Sequence, residues 1–416
     1  MNGLSPVCLL FAVSAWARAE TPLTLTRAEA VARGAEHGPT VAVEAAPRAA
    51  VAEARRAANP AWITAPRLTL DGGQRLSASG SGFEARVQLL QDIPLARIGH
   101  ERERAASLLQ RSTEANVTQA KLDAATRAGV AWVGVLEAQR ALELRTQSLA
   151  DADQLVRLAR VRVQSGVGQS LELQQALGER GAAKAQLLDA EGHLTEAAAE
   201  LRFAGGLPPS LVIVAVGDLL AITAPSIDEA TAIRHAGSHH PALLASQRRA
   251  EVAQQEERLV SAARAPVISV GGSYLREGTG DHIWSAIVAT PLPFGDFGAF
   301  DRARQRVVTA DAQARVELAR QELARDVRMA LHERAHAREV LEALLTGAHE
   351  PLAEALRLTR LQYQAGTNEL AAVLLARQRH AAAEEQILRA AADVQRADLR
   401  LQRAAGILLE PIGATP

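Results

Sequence analysis

The chain has 416 residues, 48% hydrophobic, 22% charged and 3% aromatic, with a formal net charge of −1. A balance so near neutral excludes bulk attraction to nucleic acid or to an anionic membrane surface. The scarcity of aromatics argues against large conventional cores, and the excess of Ala, Leu, Glu, Gln and Arg points to long helices packed side by side.

Residues 1–19 read as a secretory signal. Val7 to Trp16 is a short apolar stretch, and Ala17-Arg18-Ala19 fits a small-residue cleavage site before Glu20. The stretch is too short to span a bilayer. Its n-region lacks Lys and Arg, which a wrongly chosen start at Met1 would explain. Cys8 is the only cysteine, and it lies within this segment. A lipid-anchoring cysteine would normally follow a longer apolar stretch. The cleaved chain would have no cysteine, hence no disulfide framework and no Cys-based zinc site.

From Leu25 to about Asn59 the sequence is Ala-rich and helical, with a break near Gly38-Pro39. A strand follows over about 67–76, with Leu68, Leu70 and Leu76 on one face and Thr69, Asp71 and Arg75 on the other. Residues 77–82 form a Ser/Gly loop. A second strand covers about 83–92, alternating Phe83, Ala85, Val87 and Leu89 against Glu84, Arg86 and Gln88. Pro94, Pro291 and Pro293 fall where extended chain gives way to helix, a junction proline favours by removing a donor and restricting its predecessor.

From Glu101 to Val163 there is no proline. Val135, Leu142, Leu149, Val156 and Val163 repeat every seven residues, with Ala138, Ala152 and Ala159 beside them. That is coiled-coil spacing with small residues for close approach. At 1.5 Å per residue the helix is on the order of 90 Å long. After a turn at 164–171, a return helix covers about 171–204. Then the order recurs. Strands are expected at about 267–276 and 282–290, around a turn at 277–281. A second long helix runs from about Phe300 to Tyr363, with Leu345, Leu352, Leu356 and Tyr363 on its apolar face. Pro351, after Gly347, should kink or interrupt it. A turn at 364–371 leads to a return helix over about 370–405.

The chain is thus written twice. Tyr363-Gln364-Ala365-Gly366-Thr367 stands 200 residues after Val163-Gln164-Ser165-Gly166-Val167. His239-His240-Pro241 echoes His37-Gly38-Pro39, and Leu292-Pro293-Phe294 with Gly298 echoes Ile93-Pro94-Leu95 with Gly99. The halves close alike at Gly205 and Gly406. The expected organisation is a first repeat over 20–210, a second over 211–410 and a tail at 411–416. The period is too long for a short solenoid repeat.

Strands of about ten residues match the length a tilted strand needs to cross a bilayer. Four strands cannot close a barrel, and open edges in lipid leave unpaired backbone groups. Two readings follow: hairpins riding on a soluble helical body, or membrane strands completed by other chains, three of which would supply twelve. After the signal no stretch of some 20 apolar residues exists, so a spanning helix is excluded.

The duplicated x-Gln-x-Gly pattern at 163–166 and 363–366, the long flanking helices, the paired strands, the starts near Pro39 and Pro241 and the Gly406 closure resemble the TolC family of outer-membrane efflux proteins, over essentially all of residues 22–410. The segments Pro291-Leu292-Pro293-Phe294 and Glu350-Pro351-Leu352-Ala353-Glu354 look most like its cobalt–zinc–cadmium resistance branch. The resemblance implies a mainly α fold with a small membrane β part. A homotrimer would form a 12-stranded β-barrel in outer-membrane lipid and a long α-helical coiled-coil barrel in the periplasm. It implies a passive exit duct, not an enzyme, with no cofactor and no nucleic-acid partner. The duct would dock a periplasmic adaptor (a membrane fusion protein) and an inner-membrane pump of the RND type, with heavy-metal cations as the substrate the branch suggests. A duct for type I protein or peptide secretion and a soluble periplasmic coiled-coil scaffold are the alternatives.

By the same resemblance, the adaptor-docking tip comprises Gln164, Ser165 and Gly166 with Gln364, Ala365 and Gly366. The best-known member carries two aspartates past its second tip turn, where this chain has Ala372 and Leu375. That acidic gate is absent, and Glu172 and Glu369 are the candidate gate residues instead. A carboxylate at Glu172 is equally what a helix N-terminus favours.

Histidines invite a metal reading at two places. His235, His239 and His240 cluster near a helix end without a carboxylate or Cys to complete a ligand set, so capping roles are expected. His332-Glu333-Arg334-Ala335-His336 satisfies H-E-x-x-H. The Arg-rich helix around it offers no third ligand and no cleft, so neither a metal site nor a catalytic residue is expected there.

Overall fold

The computed structural model describes residues 22–58, 64–77, 80–95, 98–221, 228–263, 265, 267–291 and 298–409. The expected signal, Cys8, the segment Leu292-Pro293-Phe294 and the expected tail lie outside them. In chain order the elements are β1 (Leu23–Leu25), α1 (Arg27–His37), α2 (Pro39–Ala45), α3 (Arg48–Ala57), β2 (Arg67–Ser77), β3 (Gly80–Pro94), α4 (Ile98–Gln164) and α5 (Ser170–Ala204). There follow β4 (Ile213–Ala215), α6 (Glu229–His239), α7 (Pro241–Ala262), β5 (Val267–Arg276), β6 (His282–Ala289), α8 (Ala299–Leu344), α9 (Glu350–Gln364) and α10 (Leu370–Ala405). A five-residue π-wound segment, Leu345–His349, joins α8 to α9.

The fold is mainly α, with strand–strand–helix–turn–helix occurring twice, as the sequence predicts. α4 has 67 residues, about 100 Å of helix. Its heptad marks one face: Val135 and Val156 are buried, Leu142, Leu149 and Val163 are half-buried, and Ala138, Ala152 and Ala159 beside them are buried. The predicted interruption before Pro351 is the π segment. Proline offers no N–H and its ring crowds the carbonyl four residues back, which is Gly347, and the wider turn relieves both. Leu345, expected on the apolar face, is instead 38% exposed at the first position of the π segment. None of the segment's residues is buried.

The main core lies where both halves meet. Trp132 and Val133 from α4, Leu201 from α5 and Val394 and Leu399 from α10 pack together, with Leu25 and Ile213 beside them. β1 and β4 pair in parallel, Leu23 opposite Ile213 and Leu25 opposite Ala215. The indole Nε1 of Trp132 donates to the Leu25 carbonyl at 2.8 Å. Three-residue strands are too short to show alternation, so nothing in the sequence predicts this two-stranded seam.

The other sheet has the order β2-β3-β5-β6, antiparallel throughout. Its first hairpin is longer than predicted. Ser81 and Gly82, expected in a loop, pair with Leu76 and Arg75. A ladder continues while both strands still offer partners, so the Ser/Gly composition does not end it. Register sorts the sheet into two faces. Leu70, Val87, Tyr274 and Trp284 form one cross-strand row, and Leu68, Leu89, Gly272 and Ala286 another. Leu76 and Trp284 on this face are 80% and 79% exposed. The opposite face carries Thr69, Gln88, Ser273 and Ser285, with ion pairs Arg75–Glu84 at 3.0 Å and Arg67–Asp92 at 3.6 Å. Ser269 donates to Asp92 at 2.5 Å. The apolar face is uncovered and the polar face is internally bonded, the inverse of a sheet packed on a soluble core. Among the described residues no helix is long and apolar enough to cross a membrane.

Candidate functional site: the two helical tips

At the far end of the helices the chain reverses twice, at 165–169 and 365–369. Gly166 and Gly366 take φ of 75° and 77°. Added side chains there would meet nothing within 4 Å, so backbone conformation alone demands glycine. The Val167 N–H donates to the Arg162 carbonyl at 3.1 Å and the Thr367 N–H to that of Gln362 at 2.9 Å. These bonds close each helix with the same six-residue loop. α5 and α10 then start from extended Gln169 and Glu369, neither capped by its own side chain.

Of the predicted docking residues, Gln164, Ser165, Gly166, Gln364, Ala365 and Gly366 are all exposed. Val167 and Leu171 beside Gly166 are 68% and 59% exposed, so the first tip offers bare apolar surface. Just behind it the hairpins are clamped together. Leu155, Val156 and Ala159 of α4, Ala176 of α5, Tyr363 of α9 and Leu370 and Val373 of α10 form one buried cluster.

The two gate candidates part company. Glu369 is exposed and caps nothing. Glu172 is tied into a three-residue clasp: the Tyr363 hydroxyl donates to its Oε2 at 3.1 Å, and the Arg162 guanidinium lies 3.5 Å from the same oxygen. The Arg162 cation also stands over the Tyr363 ring, 4.7 Å from its centroid, and donates to the Tyr363 carbonyl at 3.2 Å. Behind the clasp, Arg360 pairs with Asp151 at 2.7 Å, and buried Arg377 donates to the Ser148 carbonyl at 2.5 Å and hydroxyl at 2.7 Å. Sequence reading found Glu172 but not Arg162 as its partner, since the two lie on opposite sides of a turn. It placed Tyr363 only on an apolar face.

Burial, then the hydrogen bond to Glu172, pushes the Tyr363 phenol up from 10.0 to about 12. A raised folded value means a contribution fully present below the unfolded value near pH 10 and lost as pH rises toward 12. The chain has two tyrosines. A Tyr274→Phe variant therefore isolates Tyr363, and its phenolate absorbance should appear near pH 12. A midpoint near 10 would show that the clasp does not form.

Of the histidines near the helix end, His240 takes the capping role expected. His240 Nδ1 accepts from the Ala242 N–H at 3.1 Å while Nε2 faces the Arg403 carbonyl at 3.0 Å. Burial lowers its pKa, in keeping with this neutral imidazole. His235 Nδ1 lies 2.9 Å from the Ala405 carbonyl. The rings of His332 and His336 stack at 6.4 Å, and Glu333 pairs with Arg400 at 3.2 Å. Among the described residues no third ligand atom joins that pair.

Residues 232–407 match the family described as outer membrane efflux protein. That stretch holds the second repeat from α6 to the end of α10, including the second tip. Curated protein sequences yield no match. Solved structures align over nearly the whole chain. The CmeC outer membrane channel of Campylobacter jejuni has a TM-score of 0.75 at 14% identity, covering 91% of this chain and 85% of that one. The open-state MtrE outer membrane channel of Neisseria gonorrhoeae has 0.73 at 18%, covering 92% and 89%. CusC, described in terms of folding and transmembrane channel formation, has 0.75 at 15%, covering 91% of each. The fold is that of outer-membrane efflux channels, and both repeats take part in it.

Proposed function

We propose that this chain is one subunit of a trimeric outer-membrane efflux channel, a passive duct that docks a periplasmic adaptor and, through it, an inner-membrane pump. The observation that carries the reading is the four-stranded sheet with its apolar face bare, continuous with helices about 100 Å long. β2 and β6 are edge strands of that sheet. Within lipid an open edge costs several kcal/mol per unpaired group. Three copies joined β6 to β2 close a twelve-stranded barrel with the apolar face toward lipid and the polar face toward the lumen. The same closure would give the helical α4–α5 and α8–α10 hairpins their missing neighbours. The deciding experiment is extraction of the full chain from outer membranes. The reading requires a detergent-dependent, heat-modifiable trimer, and a monomer fully soluble without detergent would sink it.

The tips at 165–169 and 365–369 are the adaptor-docking surface in this reading, and the Glu172 clasp holds the two hairpins of one chain together behind it. Gly366→Val should weaken adaptor coupling without preventing trimer assembly, because the residue borders open space but holds a left-handed conformation that costs a β-branched residue about 1 kcal/mol or more. Crosslinking to the adaptor should drop while trimer yield stays unchanged; unaltered coupling and export in this variant would count against the tip assignment. The Glu350–Glu354 resemblance favours metal cations as cargo. Metal tolerance conferred by the intact channel with its cognate pump tests that point separately.

A further inference from the structure

The π segment has a consequence beyond relieving Pro351. It leaves His349, its last residue, exposed and turned toward α10, with its ring 6.2 Å from that of His380. His380 and Glu384 stand four residues apart on one face of α10, the imidazole Nδ1 3.5 Å from the carboxylate Oε2. One ligand atom from each of the three residues lies within 4.8 Å of the others. Among the described residues this is the one such group of three.

We propose that His349, His380 and Glu384 form a binding site for a first-row divalent transition-metal ion, of which Zn²⁺ is the probe. Two imidazoles and one carboxylate suit zinc, cobalt or nickel, whereas calcium and magnesium require mostly oxygen ligands. Metal–ligand bonds near 2.1 Å in tetrahedral geometry place ligand atoms about 3.4 Å apart. His380 and Glu384 already meet that spacing. His349, with solvent around it, is the ligand that closes the remaining gap of roughly 1 Å by side-chain rotation. A fourth position stays open to water, as in three-ligand zinc sites generally. An ordinary helix-surface pair accounts for His380 with Glu384 but not for a second imidazole brought from another helix at a π turn. A bound ion would fasten the interrupted α8–α9 wall to α10. The site does not depend on what the channel exports.

The test uses the untagged full chain in detergent, stripped with chelator, then titrated with Zn²⁺ by calorimetry and with Co²⁺ by visible absorption. The expected result is one saturable equivalent per chain, with Co²⁺ giving the intense bands of a low-coordinate site. His349→Ala and His380→Ala should each weaken binding at least tenfold, and Glu384→Gln should weaken it less. His349 has no packed role, so its variant keeps the fold. The double variant His332→Ala/His336→Ala should bind as the parent does. Absence of saturable binding, binding indifferent to His349→Ala and His380→Ala, or binding lost only in the His332/His336 variant would overturn the site.

Discussion

For the proposed channel, Gly271→Val is expected to abolish heat-modifiable trimers in the outer membrane, while Gly272→Ala next to it leaves them intact. Gly271 lies in β5, opposite Leu90 of β3. A Cβ there would stand 1.9 Å from the Leu89 carbonyl oxygen and 2.9 Å from the Leu90 Cα. Those atoms are backbone and cannot rotate away. Admitting a side chain means separating β3 from β5, the joint between the two repeats. In the barrel proposed above, each backbone group so released into lipid would cost several kcal/mol. Gly272 points to the apolar face, and its nearest obstacle is the Ser285 oxygen at 3.5 Å, an ordinary contact. Heated and unheated gel migration of the two variants separates steric obstruction from a general intolerance of glycine loss. Equal trimer yields would show that β3 and β5 do not meet as described.

The second large effect is expected at Asp398. Its carboxylate meets Arg334 at 2.6 Å inside the helical bundle, with side-chain exposures of 1% and 9%. Burial pushes the Asp398 carboxyl above its ordinary range, and Arg334, Arg27 and Arg338 oppose that. Asp398→Ala removes the carboxylate that faces a buried guanidinium. Breaking such a pair costs about 3–5 kcal/mol, whereas replacing both members with apolar residues of like volume is often neutral. Thermal unfolding followed by helical circular dichroism should therefore drop markedly for Asp398→Ala. The double variant Arg334→Leu/Asp398→Leu should recover most of the loss. A single variant as stable as the parent would mean that water reaches this pair.

Much of this architecture was legible because its periods are regular. The heptad from Val135 to Val163 predicts the α4 seam, since a seven-residue apolar repeat has few other ways to be buried. Alternation through Leu68–Leu76 and Phe83–Leu89 gives both faces of the sheet, because side chains in a strand must alternate. The doubled Gly166 and Gly366 give both tips, since a left-handed turn leaves a glycine mark. What stayed hidden has no period. Leu23–Leu25 and Ile213–Ala215 are too short to show alternation, and they pair across almost half the chain. The β1–β4 seam and its bond to Trp132 are set by tertiary packing. The Arg162–Glu172–Tyr363 clasp likewise needs the two hairpins to be side by side. His380 and Glu384 carried a visible i, i+4 spacing, but nothing in the text pointed to His349, whose direction depends on a π turn where the sequence offers only a proline.

The clasp behind the tips also bears on symmetry. Its acid and its cation come from the first hairpin and its phenol from the second. The positions equivalent to Tyr363 and Glu172 in the opposite repeats are Val163 and Ala372. Six identical hairpins would each have to offer every partner on both flanks. Two unlike hairpins give the proposed ring a direction of travel: going round it, the boundary within a chain is bonded and the boundary between chains is built from different residues. In the proposed trimer such a ring would have three seams of each sort in alternation, and only the seams within a chain would carry the clasp.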